Sequence, residues 1–461
     1  MKSLTDPTQA LSAGLAKIRT EFHVPDGFPP DVMAAANAAA KRAPDQHADR
    51  TTMPFVTLDP ASSTDLDQAF SIEASAGDLL LHYAIADVAW FAEDGDAVDL
   101  EAWNRGETLY LPDGKAGLYP PVIAEGAASL LPDGPRPAII FTVRVADDGA
   151  VKLDGAERAI IRSRAKLAYD SVQALDLPAG FAELARRMVA NEERRGASRV
   201  DPPEQEVEEL PEGRFQLSFR PQLPSEQDNA ALSLAANIAI ADAMLAHKTG
   251  LFRVMSGPDA SKVQRLRNAA QALGLSWPAS SSLRDYQRTL DPADPRQAAL
   301  MLEIRRAGNG ASYQAYQEGV VPWHEAMAAT YAHATAPLRR LADRYVVRCA
   351  LAIANGQPVP QAVTDAFARL PKVMGRADAR ASQINHAAID LAEAVMLKGH
   401  EGETFKAVVT DFVDHGVRVQ LADMPVVANV KASGLRQGDG LKLKLVSADL
   451  DRRSIVFEPA V

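Results

Sequence analysis

Thr57-Leu58-Asp59-Pro60-Ala61-Ser62-Ser63-Thr64-Asp65-Leu66-Asp67-Gln68-Ala69 is the most informative segment of this 461-residue chain. Three aspartates fall within nine residues, at the end of a strand-like run. If Asp65-Leu66-Asp67 is extended, alternate side chains leave the same face, so the carboxylates of Asp65 and Asp67 project together. Pro60 and the small polar residues after it curl the chain so that Asp59 can converge on them. Three converging carboxylates repel one another unless a cation neutralises them. A hard divalent ion with oxygen ligands, Mg2+ above all, fits such a set. The spacing alone also suits a solvated acidic turn in which Asp59 or Asp65 is a cap.

A second segment complements the first. In Tyr331-Ala332-His333-Ala334-Thr335-Ala336-Pro337-Leu338-Arg339-Arg340-Leu341-Ala342-Asp343-Arg344, Pro337 belongs in the first turn of a helix, with Thr335 or Ala336 before it. Free N–H groups at a helix start, with Arg339 one turn in, make an anion site. Arg340, Arg344 and Arg348 recur every fourth residue and predict a guanidinium stripe on one helix face. The plain alternative is a surface helix whose arginines pair with nearby acids. A divalent-ion site beside an anion site is the equipment of metal-assisted phosphodiester hydrolysis.

Outward from these segments the chain divides in three. Residues 1–50 read as a small helical domain in which Leu11, Leu15 and Ile18 share a face and Pro30-Asp31 opens a second helix. Two short helices around a tight turn could form a helix-turn-helix. Residues 51–400 begin with strand-like runs and continue with long helical ones, over 225–247, 297–306, 336–354 and 360–397. That order predicts one large α+β domain. Within it, Asp201 to Glu212 holds six acidic and no basic residues and reads as a solvated segment. Residues 401–461 carry short alternating runs punctuated by glycine, the pattern of a small β-barrel.

Together the two segments resemble the signatures of the ribonuclease II / ribonuclease R family, the RNB-domain 3′→5′ exoribonucleases. Asp59, Asp65 and Asp67 match the first; Tyr331, His333, Thr335, Pro337, Arg339, Arg340 and Asp343 match the second. Ile85-Ala86-Asp87-Val88, Leu109-Tyr110-Leu111-Pro112, Lys166-Leu167-Ala168-Tyr169-Asp170 and Asn237 fall in the family's order and spacing over about residues 50–400. The tail, with Phe405, Phe412, His415-Gly416-Val417 and Gly438-Asp439, is similar to the ribosomal S1-type RNA-binding barrel, an OB fold. The chain before Thr52 is too short for the two cold-shock barrels that the family usually carries there. Two departures stand out. The family's fourth aspartate is Gln68, and a glutamate it places near the RNA 3′ end falls on Ala230.

The resemblance implies processive 3′→5′ hydrolysis of single-stranded RNA to nucleoside 5′-monophosphates. Asp59, Asp65 and Asp67 would hold one or two Mg2+ ions, with Gln68 assisting and Mn2+ able to substitute. Arg339 would stabilise charge on the phosphate. Tyr110, Tyr169, Thr335, Arg340, Arg344 and Arg348 would contact RNA, and Phe405, Phe412 and His415 would stack on bases in the barrel, where the two phenylalanines suit the core equally well. Gln68 and Ala230 also suit a non-catalytic, RNA-binding relative. The partner is then a single-stranded RNA 3′ end, and the protein is expected to be a cytoplasmic monomer. No apolar run reaches the ~18–20 residues of a membrane span, and one cysteine, Cys349, allows no intrachain disulfide. The net charge of −11 argues mildly against a polyanionic partner, unless the basic residues are gathered locally.

Overall fold

The computed structural model describes residues 9–460 apart from 198–203, 211–213, 221, 292–293, 309, 414–415 and 437. Helices α1 (Ala10–Glu21) and α2 (Pro30–Ala39) open the chain, followed by the short strand β1 (Ala48–Asp49). β2 (Thr57–Asp59), β3 (Gln68–Ser75), β4 (Asp78–Ala86), α3 (Ala97–Arg105), β5 (Leu109–Leu111) and β6 (Gly114–Ala116) come next. β7 (Arg136–Val145), β8 (Val151–Ile161) and β9 (Lys166–Ala168) complete the first half. The main sheet has the order β1-β8-β7-β4-β3, and β2 pairs with β9 in parallel beside it. The β3–β4 link is a two-residue turn, Ala76-Gly77, with both φ angles positive, the geometry that matches the twist of a tight hairpin.

α4 (Phe181–Arg195) leads to the hairpin β10 (Glu204–Leu210) and β11 (Arg214–Arg220), then to α5 (Pro224–Ala246). α5 is apolar on nearly every side because it is packed on nearly every side, against α4, β7, β8 and a later helix. By length and composition it is apolar enough to cross a membrane, contrary to the sequence expectation, but most of that window is buried in the core. β12 (Leu251–Met255), α6 (Ala260–Ala272), α7 (Leu283–Gln287), α8 (Pro295–Ala307) and β13 (Ala311–Ala315) follow. Leu266, Tyr286 and Leu300 give this helical insertion a small core of its own. β14 (Trp323–His324) and β15 (Ala329–Thr330) precede the helices α9 (Leu341–Ala354) and α10 (Gln361–Leu397).

The C-terminal strands β16 (Thr404–Val413), β17 (Gly416–Leu421), β18 (Val427–Val430), β19 (Gly440–Asp449) and β20 (Ser454–Pro459) form an antiparallel sheet ordered β18-β17-β16-β19-β20. Contacts between β18 and β20 nearly close it into a barrel. The mixed α+β class and the small barrel are therefore as the sequence predicted.

Two expectations need correction. The first helices do not form one unit. Leu11, Leu15 and Ile18 of α1 pack with Ile384 and Leu391 of α10, whereas Val32 and Ala36 of α2 join the main core near α3. An independent helix-turn-helix is thus absent among the described residues. The acidic run is also more than a solvated segment. Its described part, Glu204–Leu210, is a strand whose Glu206 and Glu208 face out while Gln205 and Val207 turn in. Phe215 and Leu217 of its partner strand bury against α10 and the barrel core.

Glu393 of α10 holds this junction. It is 4% exposed, and its Oε1 accepts hydrogen bonds from Gln205 Nε2 at 2.6 Å and Val427 N–H at 2.8 Å. Burial pushes its pKa up from 4.5 to about 7 against the pull of those two bonds. The folded chain therefore holds this proton more tightly than the unfolded one. The stabilisation is complete below about pH 4.5 and is lost as pH rises through about 7, a difference of roughly 3 kcal/mol. Glu393→Gln is expected to flatten that slope and raise stability at pH 8 relative to the parent, measured by urea melts at pH 5 and 8.

Candidate active site

Asp59 ends β2, and the parallel pairing with β9 sets it opposite Ala168, so that Tyr169 N–H reaches Asp59 O at 3.2 Å. Ser63 N–H returns to Pro60 O at 3.0 Å, the turn that the proline and small polar residues predict. The chain then passes through Asp65 and Asp67 before β3 begins at Gln68. Leu66 between them is fully buried, pinned by a bond from its N–H to Ser129 Oγ at 2.9 Å. Asp67 is 5% exposed. Its Oδ1 accepts from Leu338 N–H at 2.7 Å, and its Oδ2 lies 3.4 Å from Arg339 Nε. This is where the two signature segments meet. Burial raises the Asp59 carboxyl to about 6 and that of Asp67 to about 7, with the Arg339 charge working the other way in both.

Three carboxylates within each other's field do not form a ready-made cage. Among the described residues, no three acidic, histidine or cysteine side chains stand together as metal ligands. Asp65 is drawn instead to the Lys115 ammonium, 2.8 Å away. The donor set nevertheless fits a divalent ion. Asp59 Oδ2 is buried with no hydrogen-bond partner, and Asp67 carries a second desolvated carboxylate; both feel the charges of Arg339 and Asp65. Hard oxygen donors short of a cation are what Mg2+ requires.

Gln68 does not share in this. One residue beyond Asp67 it points the other way, and its Oε1 accepts from Tyr83 Oη at 2.7 Å and Ser233 Oγ at 3.3 Å. The expected ligand is engaged inside the fold.

The arginine helix also departs from expectation. α9 begins at Leu341, not near Pro337, because carboxylates capture the turn before it. Ala336 N–H donates to Asp343 Oδ1 at 2.8 Å and Leu338 N–H to Asp67. Thr335 is buried, and Ala334 N–H is held by Asn237 Oδ1 at 2.9 Å. The N–H groups expected to open the helix toward an anion, those of Ala336 and Leu338, are thus taken by carboxylates. Nor do the stripe arginines face one. Arg340 is bidentate on Asp343, at 3.0 and 2.7 Å. Arg348 is bidentate on Asp94, at 2.6 and 2.7 Å. Arg344 is 1% exposed and pairs with Asp99 and Tyr345 Oη. Only Arg339, half-exposed, stays turned toward the carboxylates.

Tyr110, on β5, is half-exposed and feels the charges of Asp65, Arg339 and Asp67. Tyr169 stands on the Asp59 side, its Oη held by Asn229 Nδ2 at 2.9 Å. Burial pushes both phenols up to about 12, so they stay protonated donors. In the barrel, Phe412 is 50% exposed, whereas Phe405 is partly buried and packs edge-to-face on Phe457 of the core at 5.9 Å. His415 lies outside the described residues.

Two side chains at this site escape a reading by motif. Asn229 of α5 reaches both Leu58 O and Tyr169 Oη. An asparagine inside an apolar helix was the available signal. Lys115 faces Tyr110 across the β5–β6 pair. The Pro112-Asp113 turn between two short alternating runs would have placed it there. Burial opposes the lysine charge, but the hydrogen bonds it donates to Asp65 and Glu125 outweigh that and hold the ammonium above its ordinary range.

The RNB domain family matches residues 48–355, and the C-terminal S1 domain of RNase II-type exonucleases matches residues 403–460. Ribonuclease R of Aquifex aeolicus is 25% identical over 496 residues, covering 95% of this chain and 69% of that protein. Ribonuclease R of Thermotoga maritima is 26% identical over 511 residues, covering 98% of this chain and 71% of that protein. Among solved structures, Mycoplasma genitalium RNase R in complex with ribose-methylated single-stranded RNA superimposes on the whole chain and 79% of its own, with a TM-score of 0.87 at 18% identity.

Proposed function

The chain belongs to the RNB-domain ribonuclease family, and from that premise we propose that it hydrolyses single-stranded RNA processively from the 3′ end, with Mg2+, releasing nucleoside 5′-monophosphates. Exoribonuclease activity goes with the family. What supports the finer reading is the junction at Asp67, where one carboxylate touches both Leu338 N–H and Arg339. Asp59 and Asp67 would hold the divalent ion. When bound, that ion supplies Lewis-acid activation of the attacking water and of the phosphate.

The chain's own groups do the rest. Arg339 lies beside the carboxylates with its guanidinium half-open, positioned to neutralise charge that grows on the phosphate oxygens. The Asp67 contact fixes its direction before substrate arrives. Tyr110 and Tyr169, on the Asp65 and Asp59 sides, bracket the last nucleotides and offer phenol donors that the surroundings keep protonated. A ribose 2′-hydroxyl is the handle by which such a site prefers RNA to DNA. The same reading has the protein act as a monomer in the cytoplasm.

The test is a 5′-labelled single-stranded oligoribonucleotide with Mg2+. A ladder shortening from the 3′ end, with nucleoside 5′-monophosphates released, is the expected result. RNA that binds but stays intact in both Mg2+ and Mn2+ favours the non-catalytic alternative, to which the engaged Gln68 side chain lends weight. In the same assay Phe412→Ala is expected to weaken RNA binding roughly tenfold, the worth of one stacked base. Phe405→Ala is expected to lower the melting temperature, because it removes core packing.

A further inference from the structure

Lys115 stands at the site, and the mechanism above gives it no task. It bridges two carboxylates, Asp65 at 2.8 Å and Glu125 at 3.0 Å, with its side chain 27% exposed. β6 holds it directly across from Tyr110, so its place is set by backbone pairing and not by a mobile loop. Behind it lies a pocket of 290 Å³ lined by Asp65, Lys115, Glu125 and the Pro25–Phe28 turn. Arg105 fastens that turn, bonding to Gly27 O and sitting 3.7 Å from the centre of the Phe28 ring. The ammonium therefore stands between its two carboxylates at the wall of that pocket.

The charge count then becomes informative. Asp65 is already neutralised by a cation that belongs to the chain. Gln68 brings no charge, and its carbonyl is engaged by Tyr83 and Ser233. What remains for a metal is the pair Asp59 and Asp67. Two-metal phosphodiesterases set two cations about 3.5–4 Å apart to stabilise the attacking and leaving oxygens. A lysine ammonium offers one fixed positive charge and three donors at such a position. We infer that Lys115 is a built-in cation of the catalytic centre, standing at Asp65 in place of a second divalent ion, so that the chain takes one ion only, on Asp59 and Asp67. Glu125 is its second anchor, 3.0 Å from the ammonium. The inference rests on the exoribonuclease reading, but its test does not.

Mn2+ alone is titrated into the metal-stripped full chain, and bound ions are counted by electron paramagnetic resonance. One Mn2+ per wild-type chain is expected. Lys115→Met leaves Asp65 and Glu125 without their cation and is expected to take two. Lys115→Gln serves if the methionine variant does not fold, and Glu125→Gln, which keeps the lysine on Asp65, is expected to stay at one. Two ions on the wild type, or one on a folded Lys115→Met or Lys115→Gln variant, overturns the inference. Because the readout is a metal count, counts of one and two in a chain that leaves RNA intact would refute only the hydrolytic reading.

Discussion

Asp67→Asn is expected to lower the rate of RNA hydrolysis roughly 10³-fold while leaving RNA affinity within about threefold, the pattern of an interaction made only in the transition state. Asparagine fills the same volume, and its carbonyl can still accept from Leu338 N–H, so the turn before α9 keeps its shape. What disappears is charge. The amide nitrogen replaces the oxygen that lies 3.4 Å from Arg339, setting donor against donor. The site also loses one of its two desolvated carboxylates, leaving Asp59 to hold an ion by itself. Single-turnover assays with a filter-binding measurement on the same variant separate the two effects. A wild-type rate in Asp67→Asn would place the chemistry elsewhere.

Arg344→Met is expected to cost about 3–5 kcal/mol of stability, the range for breaking a buried ion pair from one side. Arg344 is 1% exposed, paired with Asp99 and Tyr345, and lies over the Tyr345 ring at 4.7 Å. Removing the guanidinium leaves Asp99 charged and nearly dry, since that residue is 4% exposed. A chemical melt reads the loss directly. The double variant Arg344→Met/Asp99→Leu, which removes both charges, is expected to recover most of it. Were the arginine an RNA contact, the single variant would melt normally, bind RNA more weakly at low salt and show a shallower salt dependence than the parent.

That contrast marks what the sequence could and could not convey. The meeting of Asp67 with Arg339 was legible because each lies within a short segment whose residue types call for the other. The barrel was legible because alternation is itself the strand pattern. Arg344 and Arg348 were not. A repeat every fourth residue puts side chains on one helix face but says nothing of what that face meets. Their partners Asp99 and Asp94 lie 245 and 254 residues away along the chain. The start of α9 was misplaced for a related reason. Proline favours a first helical turn, yet here two distant or downstream carboxylates take the N–H groups of Ala336 and Leu338 and hold a tight turn instead. The strand at Glu204–Leu210 was hidden by its charge, although its alternation of glutamate with Gln205 and Val207 was there to be read.

α10 draws one line of the domain map differently. Its first half, with Val363, Phe367 and Met374, belongs to the main core, and its second half, with Ile384, Leu391 and Leu397, to the core shared by α1, the β10–β11 hairpin and the barrel. At ~1.5 Å per residue its 37 residues span about 55 Å, a single rod set into both bodies. A surgeon cutting at residue 401 to free the enzyme from its barrel would therefore strip one wall from a shared room. The stump of α10, α1 and the acidic hairpin would be left facing water with their apolar sides, and the shortened protein would aggregate before it could be assayed. The boundary that counts for taking this molecule apart runs through the middle of a helix.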